Sequence, residues 1–89
     1  MDITDVRVFP VASGGNLKAF ASLTFEDSFV VRGIRIVEGK NGLFASMPDR
    51  EWKGNYYDVC FPLTNTLREE IQDRVLSTFT EAADKKKTG

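Results

Sequence analysis

LKAFASLTFEDSFVVRGIRIVEG, residues 17–39, is the stretch on which the fold turns. In its first part Leu17, Ala19, Ala21, Leu23 and Phe25 alternate with Lys18, Phe20, Ser22, Thr24 and Glu26, the period-two pattern of a strand with one buried face. Glu26, Asp27 and Ser28 then make a short turn into a second strand. There the parity breaks: Phe29 and Val31 share one face, but Ile34 and Ile36 fall on the other unless one extra residue is accommodated. A bulge at Arg32 and Gly33 repairs the pattern, because glycine accepts the dihedrals a bulge demands, and it turns Arg35 away from the core. Two antiparallel strands joined this tightly are the start of a meander.

Working outward, ITDVRVFPV (3–11) is rich in β-branched residues and puts Val6 and Val8 on one face, so it reads as a strand ending near Pro10. SGGN (13–16) supplies residues that tolerate positive φ and connects it to the next strand. On the other side GKNG (39–42) is a turn. LFASM and YYDVCF then read as a last pair of strands flanking a charged loop that holds Asp49, Arg50, Glu51, Trp52 and Lys53. After Pro62 the period changes to a helical stripe of Leu67, Ile71, Val75, Leu76, Phe79 and Ala82, with Thr66 and Glu69 in capping-box spacing. The helix is expected to end at about Ala82 or Ala83.

This pattern predicts the α+β class: a meandering antiparallel β-sheet of about five strands with a C-terminal α-helix packed on one face. Residues 1–83 form a single domain, and 84–89, DKKKTG, read as a basic, flexible tail. Phe9, Phe20 and Phe44 fall on the face away from the helix, more apolar mass than water should meet. With two unpaired sheet edges besides, a homodimer is expected.

Composition narrows the chemistry. Over 89 residues, 42% are hydrophobic and 28% charged, the balance of an ordinary globular domain. The chain has no histidine and a single cysteine, Cys60, which removes histidine acid–base catalysis, His-based triads and an internal disulfide. A zinc site from one chain is close to excluded, and neither a cofactor nor a small-molecule substrate is expected. No apolar run suits a membrane span, and MDITDV is acidic where a signal peptide is basic, so the cytoplasm is the expected location. Net charge is −1, so anion binding has to come from a local patch. Between Arg32 and Lys53 five basic residues face three acidic ones, and Lys85, Lys86 and Lys87 add charge at the end.

TDVRV near the start, LKAFASLTFEDSFVVRGIRIVEGKNGLFASMP in the centre and REEIQDRVL in the helix resemble the stage V sporulation protein G (SpoVG) family of bacterial septation regulators. The resemblance covers residues 1–79 and implies a small dimeric protein, mostly β with a C-terminal helix. It further implies a regulator of septation and sporulation that binds DNA and RNA. Carried over by position, it selects Arg50 and Lys53 in the charged loop, with Arg68 and Arg74 on the helix. Asp49, Glu51 and Trp52 depart from the smaller or more basic residues usual in that loop, which weakens its positive charge.

Arg50 and Lys53 around Trp52 have the form of a nucleic-acid contact, cations for phosphates and an indole on which an unpaired base can stack. The alternative is a solvated tip in which Asp49 and Glu51 neutralise the cations and Trp52 folds onto the sheet. Arg74 follows Glu70 by four residues, so a helical ion pair is its default, whereas Arg68 has Gln72 at that spacing and is freer. The lysine tail suits either phosphate attraction or plain solubility. Cys60 reads as a half-buried strand residue rather than a nucleophile, since no cation is near it in the sequence. Against the binding reading stands a protein-interaction module in septum formation, using the aromatic face and sheet edge instead of the cations.

Overall fold

A computed structural model of the protein describes the backbone of residues 1–12 and 14–88 and the side chains of these through Ala82. Four strands form an antiparallel meander in the order β1 (Ile3–Pro10), β2 (Leu17–Phe25), β3 (Phe29–Gly39) and β4 (Gly42–Ser46). A separate two-stranded sheet follows, β5 (Asp49–Trp52) with β6 (Asn55–Asp58), and then one helix, α1 (Asn65–Thr88). The α+β class and the C-terminal helix on one sheet face are as expected. The strands divide differently, because the last pair leaves the main sheet.

The parity break in β3 is a bulge at the expected place. Ala21 pairs with Ile34 and Leu23 with Val31, leaving Ser22 opposite both Arg32 and Gly33, and Gly33 takes a φ of 82°. Two further irregularities lie at Thr4 and Lys18. The one at Lys18 corrects the regular alternation expected from Leu17, which pairs with Val37 and is only half-buried. The turn between β2 and β3 puts Glu26 and Asp27 in left-handed backbone at φ of 50° and 53°. Hydrogen bonds hold it there: the Glu26 N–H donates to the Asp2 carbonyl (2.9 Å), and the Asp27 N–H to Thr4 Oγ1 (3.0 Å).

The core is Ile3, Ala19, Ala21, Leu23, Phe25, Ile34, Ile36 and Ala45 from the sheet with Ile71 and Val75 from α1. Leu67, Leu76 and Phe79 pack at its border, so the helical stripe faces the sheet. Phe9, Phe20 and Phe44 remain exposed. Phe9 pairs with Phe20 across β1 and β2, and Phe44 pairs with Val37 across β3 and β4, so all three share the outer face.

Helix α1 also reaches both edges of the sheet. Gln72 makes a reciprocal amide pair with Ala45 on edge strand β4: the Ala45 N–H donates to Oε1 (2.8 Å) and Nε2 donates to the Ala45 carbonyl (2.7 Å). Arg74 Nη1 donates to the Ile3 carbonyl on edge strand β1 (3.3 Å). Residues two apart on a helix point to roughly opposite sides. The sheet therefore curls until its two edges flank one turn of α1. Bulges, which add twist and bend, allow that curl.

Two expectations about the helix are corrected. Its cap is Thr64, not Thr66: Thr64 Oγ1 accepts from the Leu67 N–H (3.2 Å) and the Thr64 carbonyl from the Arg68 N–H (3.1 Å). With Thr64 as cap, Leu67 occupies the position where a capping box needs Glu or Gln. The helical backbone also continues past Ala83 to Thr88. The side chains of Lys85, Lys86 and Lys87 lie outside the described residues, as does Ser13 of the first turn.

Candidate nucleic-acid interface

The charged loop expected between Asp49 and Lys53 is a strand. β5 and β6 pair as Asp49↔Asp58, Arg50↔Tyr57, Glu51↔Tyr56 and Trp52↔Asn55. Lys53 and Gly54 make the turn, both with positive φ (51° and 81°), the geometry a two-residue hairpin needs to match the strands' twist. Tyr56 and Tyr57 bring the β-propensity that Asp49, Arg50 and Glu51 lack. At the root, the Val59 N–H donates to the Pro48 carbonyl (2.8 Å) and closes the ladder.

Pairing in this register sorts the side chains by sign. Alternation along β5 and direct opposition across to β6 put Arg50, Trp52, Asn55 and Tyr57 on one face. Asp49, Glu51, Tyr56 and Asp58 share the other. Lys53 joins the first face, with Nζ 5.7 Å from the centroid of the Trp52 ring, a cation–π distance. One face thus carries both cations beside Trp52 and Tyr57, and its reverse carries three carboxylates beside Tyr56.

Asp49 does not neutralise Arg50. Its Oδ2 accepts from Arg35 Nη2 at 2.7 Å, tying the root of the hairpin to β3. Next to that ion pair Pro48 lies against the bulge, where a Cβ on Gly33 would meet Pro48 Cβ at an ordinary 3.6 Å. Three ion pairs exist among the described residues, Arg7–Asp5, Lys18–Glu38 and Arg35–Asp49, and neither Arg50 nor Lys53 belongs to one. Trp52 is 56% exposed and Tyr57 52%, so neither ring is folded onto the sheet.

The helix cations are placed elsewhere. Arg68 is exposed at the end of the first turn of α1, which holds no acid although Glu69 and Glu70 follow directly, and it has no side-chain partner among the described residues. Arg74 makes no ion pair with Glu70, contrary to its spacing, because it reaches back to Ile3. The packing of α1 is on β1, β2 and β4. The structure therefore brings Arg50, Trp52 and Lys53 together, leaves Arg68 apart and engages Arg74 in the fold. Tyr57 is the residue that sequence reasoning missed. Counting back from a turn at Lys53–Gly54 would have placed it opposite Arg50.

Cys60 lies just beyond β6 rather than within a strand, and is half-buried. Burial, and after it the carboxylate of Asp58, push its thiol above the ordinary value, which keeps it protonated at neutral pH. It borders an open apolar groove of about 430 Å³ between the β2–β3 end of the sheet and the start of α1. Met1, Phe29, Phe61 and Leu63 line that groove and are exposed, Leu63 to 87%. Among the described residues no cluster of three His, Cys, Asp or Glu residues is arranged to hold a metal, and no helix is long and apolar enough to cross a membrane.

Comparison with known proteins matches the sequence over nearly its full length. "Putative septation protein SpoVG" of Clostridium botulinum (strain Alaska E43 / Type E3) is 42% identical over 85 residues, covering 94% of this chain and 93% of its own. The protein of the same name from Acholeplasma laidlawii (strain PG-8A) is 42% identical over 89 residues, covering 99% and 95%. The one from Clostridium acetobutylicum is 39% identical over 89 residues, covering 99% and 94%. The SpoVG family profile matches residues 1–81, from β1 through most of α1. With the profile spanning both sheets and identity near 40% across them, the chain belongs to the SpoVG family.

Proposed function

We propose that this protein is a dimeric, cytoplasmic nucleic-acid-binding regulator of septation and sporulation, with DNA and RNA as its partners. The observation that carries the reading is the sorting of charge on the β5–β6 hairpin, which leaves Arg50 and Lys53 unpaired beside exposed Trp52 and Tyr57. Cations without an acidic partner are the ones that can release counterions from a phosphate backbone. Arg68, near the N-terminus of α1 and without an acid in that turn, adds positive potential at a second place. Arg74 contributes through the fold, as a tie to β1. The names of the relatives point to septation as the process served. The role proposed is binding, in a chain with no histidine for acid–base catalysis.

A gel shift at two salt concentrations tests this. Arg50→Ala with Lys53→Ala should leave folding intact, since exposed charges contribute little to stability. It should weaken binding and flatten the salt dependence by roughly one unit of slope per lost phosphate contact on duplex DNA. Unchanged binding at both salt concentrations would remove the hairpin as the contact.

One observation favours a second reading, a protein-interaction module. The outer face shows Phe9, Phe20 and Phe44, while Arg7, Lys18 and Arg35 are each already paired with an acid. Such a neutral aromatic surface suits a protein partner better than a polyanion. Loss of septation activity on Phe9→Ser with nucleic-acid affinity intact would move this reading ahead.

A further inference from the structure

The β5–β6 hairpin leaves the body of the molecule with little to rest on. All four residues of β6 are exposed, as are Arg50, Glu51 and Trp52 of β5. An isolated two-stranded ribbon is marginal in water, and one that holds three aromatic rings in solvent is a surface made to be covered. Tyr56 is the most open of the three, at 68%. It stands directly across from Glu51, and Asp58 shares that face. Asp49, the third carboxylate there, is taken by Arg35, whereas Glu51 and Asp58 have no ion pair among the described residues. This face therefore offers a ring beside unpaired carboxylates.

The same chain carries the complement. Beyond β6 the backbone from Cys60 to Leu63 lines the apolar groove of about 430 Å³, together with Thr64, Leu67 and Ile71 at the start of α1. No charged side chain lines it among the described residues. Arg68 follows Thr64 by four residues and precedes Ile71 by three, so helical spacing puts it at the lip of the groove. Glu70, two residues further on, falls on roughly the opposite side of α1. The groove thus has an unpaired cation beside an apolar floor, which suits a ring with an acid next to it.

Tyr56 is not seated in the groove of its own chain, since most of the ring is in solvent. A second copy can supply one. Hairpin and groove follow each other directly along the chain and form one continuous patch, so a two-fold axis through that patch lays each hairpin on the other copy's groove. The two contacts are then identical, and the assembly closes at two.

From these features we infer that the β5–β6 hairpin is the arm by which two copies of this chain clasp one another: Tyr56 enters the groove of the partner subunit, and Glu51 meets Arg68 of the partner subunit. This rests on the dimeric reading above and assigns the contact that makes the dimer. The opposite face of the hairpin, with Arg50, Trp52 and Tyr57, stays open. Arg68, set apart from the hairpin within one protomer, is brought to a hairpin in the dimer.

The test follows the dimer of the full chain by light scattering over a dilution series, with a melting curve of each variant to check the fold. Tyr56→Ala should weaken the dimer roughly tenfold or more, and Tyr57→Ala, on the opposite face, by less than about threefold. Glu51→Arg and Arg68→Glu each set like charges across the contact and should each weaken it roughly tenfold or more. Mixing those two variants decides the matter. Only in a mixed dimer does each hairpin meet an opposite charge, so native mass spectrometry should find the mixed species well above its statistical share. An ion pair formed within one chain cannot produce that preference. Mixed dimers at their statistical share, or a dimer indifferent to Tyr56→Ala and to both charge reversals, overturn the inference and leave the dimer standing. A parent protein that stays monomeric at every concentration removes the dimer and the inference with it.

Discussion

At the scale of single residues, the chemistry of this protein is set by which charges find partners. Asp49 and Arg50 are neighbours in sequence, yet Asp49 pairs with Arg35, fourteen positions back, and Arg50 pairs with nothing among the described residues. Strand geometry causes this, since consecutive side chains point to opposite faces. Asp58 acts on a neighbour in another way: its carboxylate, after burial, raises the Cys60 thiol. A raised thiol pKa means that the reactive thiolate appears only at higher pH. Alkylation of Cys60 by iodoacetamide should therefore be slow at neutral pH and accelerate above the range usual for a free thiol. Asp58→Asn removes one of the two causes and should move that rise to lower pH. A pH–rate curve identical in both proteins would mean that burial alone sets the thiol. Little of this was legible beforehand. In sequence Cys60 looks like a strand residue, and its position two residues past Asp58, beyond the end of β6, follows only from where the hairpin stops pairing.

At the scale of elements, α1 does more than cover a sheet face. Gln72 sits between Ile71, 3% exposed, and Asp73, which is exposed, so in sequence it looks like a boundary residue. Its amide instead completes the hydrogen bonding of Ala45 on edge strand β4, a buried position where an unpaired N–H or carbonyl is costly. Gln72→Ala should lower stability by about 1–3 kcal/mol and speed hydrogen exchange at the Ala45 amide. Ile71→Ala, which empties a core position, should cost ~2–5 kcal/mol without singling out that amide. Equal exchange at Ala45 in both variants, once corrected for global stability, would show that the Gln72 pair adds nothing local. The helix stripe and the bulge in β3 were legible because each is arithmetic on apolar spacing, with Gly33 marking the bulge. The cap was not. Thr64 and Thr66 are the same residue type, and the choice between them depends on where the chain turns after Pro62. The β5–β6 hairpin was hidden for a related reason: three of the four residues of β5 are charged, and charge reads as loop until the pairing with Tyr56 and Tyr57 is known.

At the scale of the whole molecule, two apolar surfaces remain open on an 89-residue domain, the outer face around Phe9, Phe20 and Phe44 and the groove around Phe29, Phe61 and Leu63. A domain this small buries a modest fraction of its chain, and a second subunit is the economical cover for what is left. Phe29 at 65% and Leu63 at 87% exposure are large apolar side chains on one rim, while the sheet edges are each partly engaged by α1. The groove is therefore a better candidate for the dimer contact than edge-to-edge strand pairing. Light scattering should report about twice the chain's 10.0 kDa at micromolar concentration. Phe29→Glu with Leu63→Glu, both at exposed positions, should convert it to a folded monomer. The consequence for binding follows from geometry, because a dimer presents two hairpins and joins their contacts on one strand by effective concentration. The monomeric variant should lose far more affinity for an oligonucleotide long enough to span both hairpins than for one that fills a single hairpin. A parent protein that scatters as a monomer would sink the dimer outright. A dimer left intact by the double variant would move the contact from the groove to the aromatic outer face.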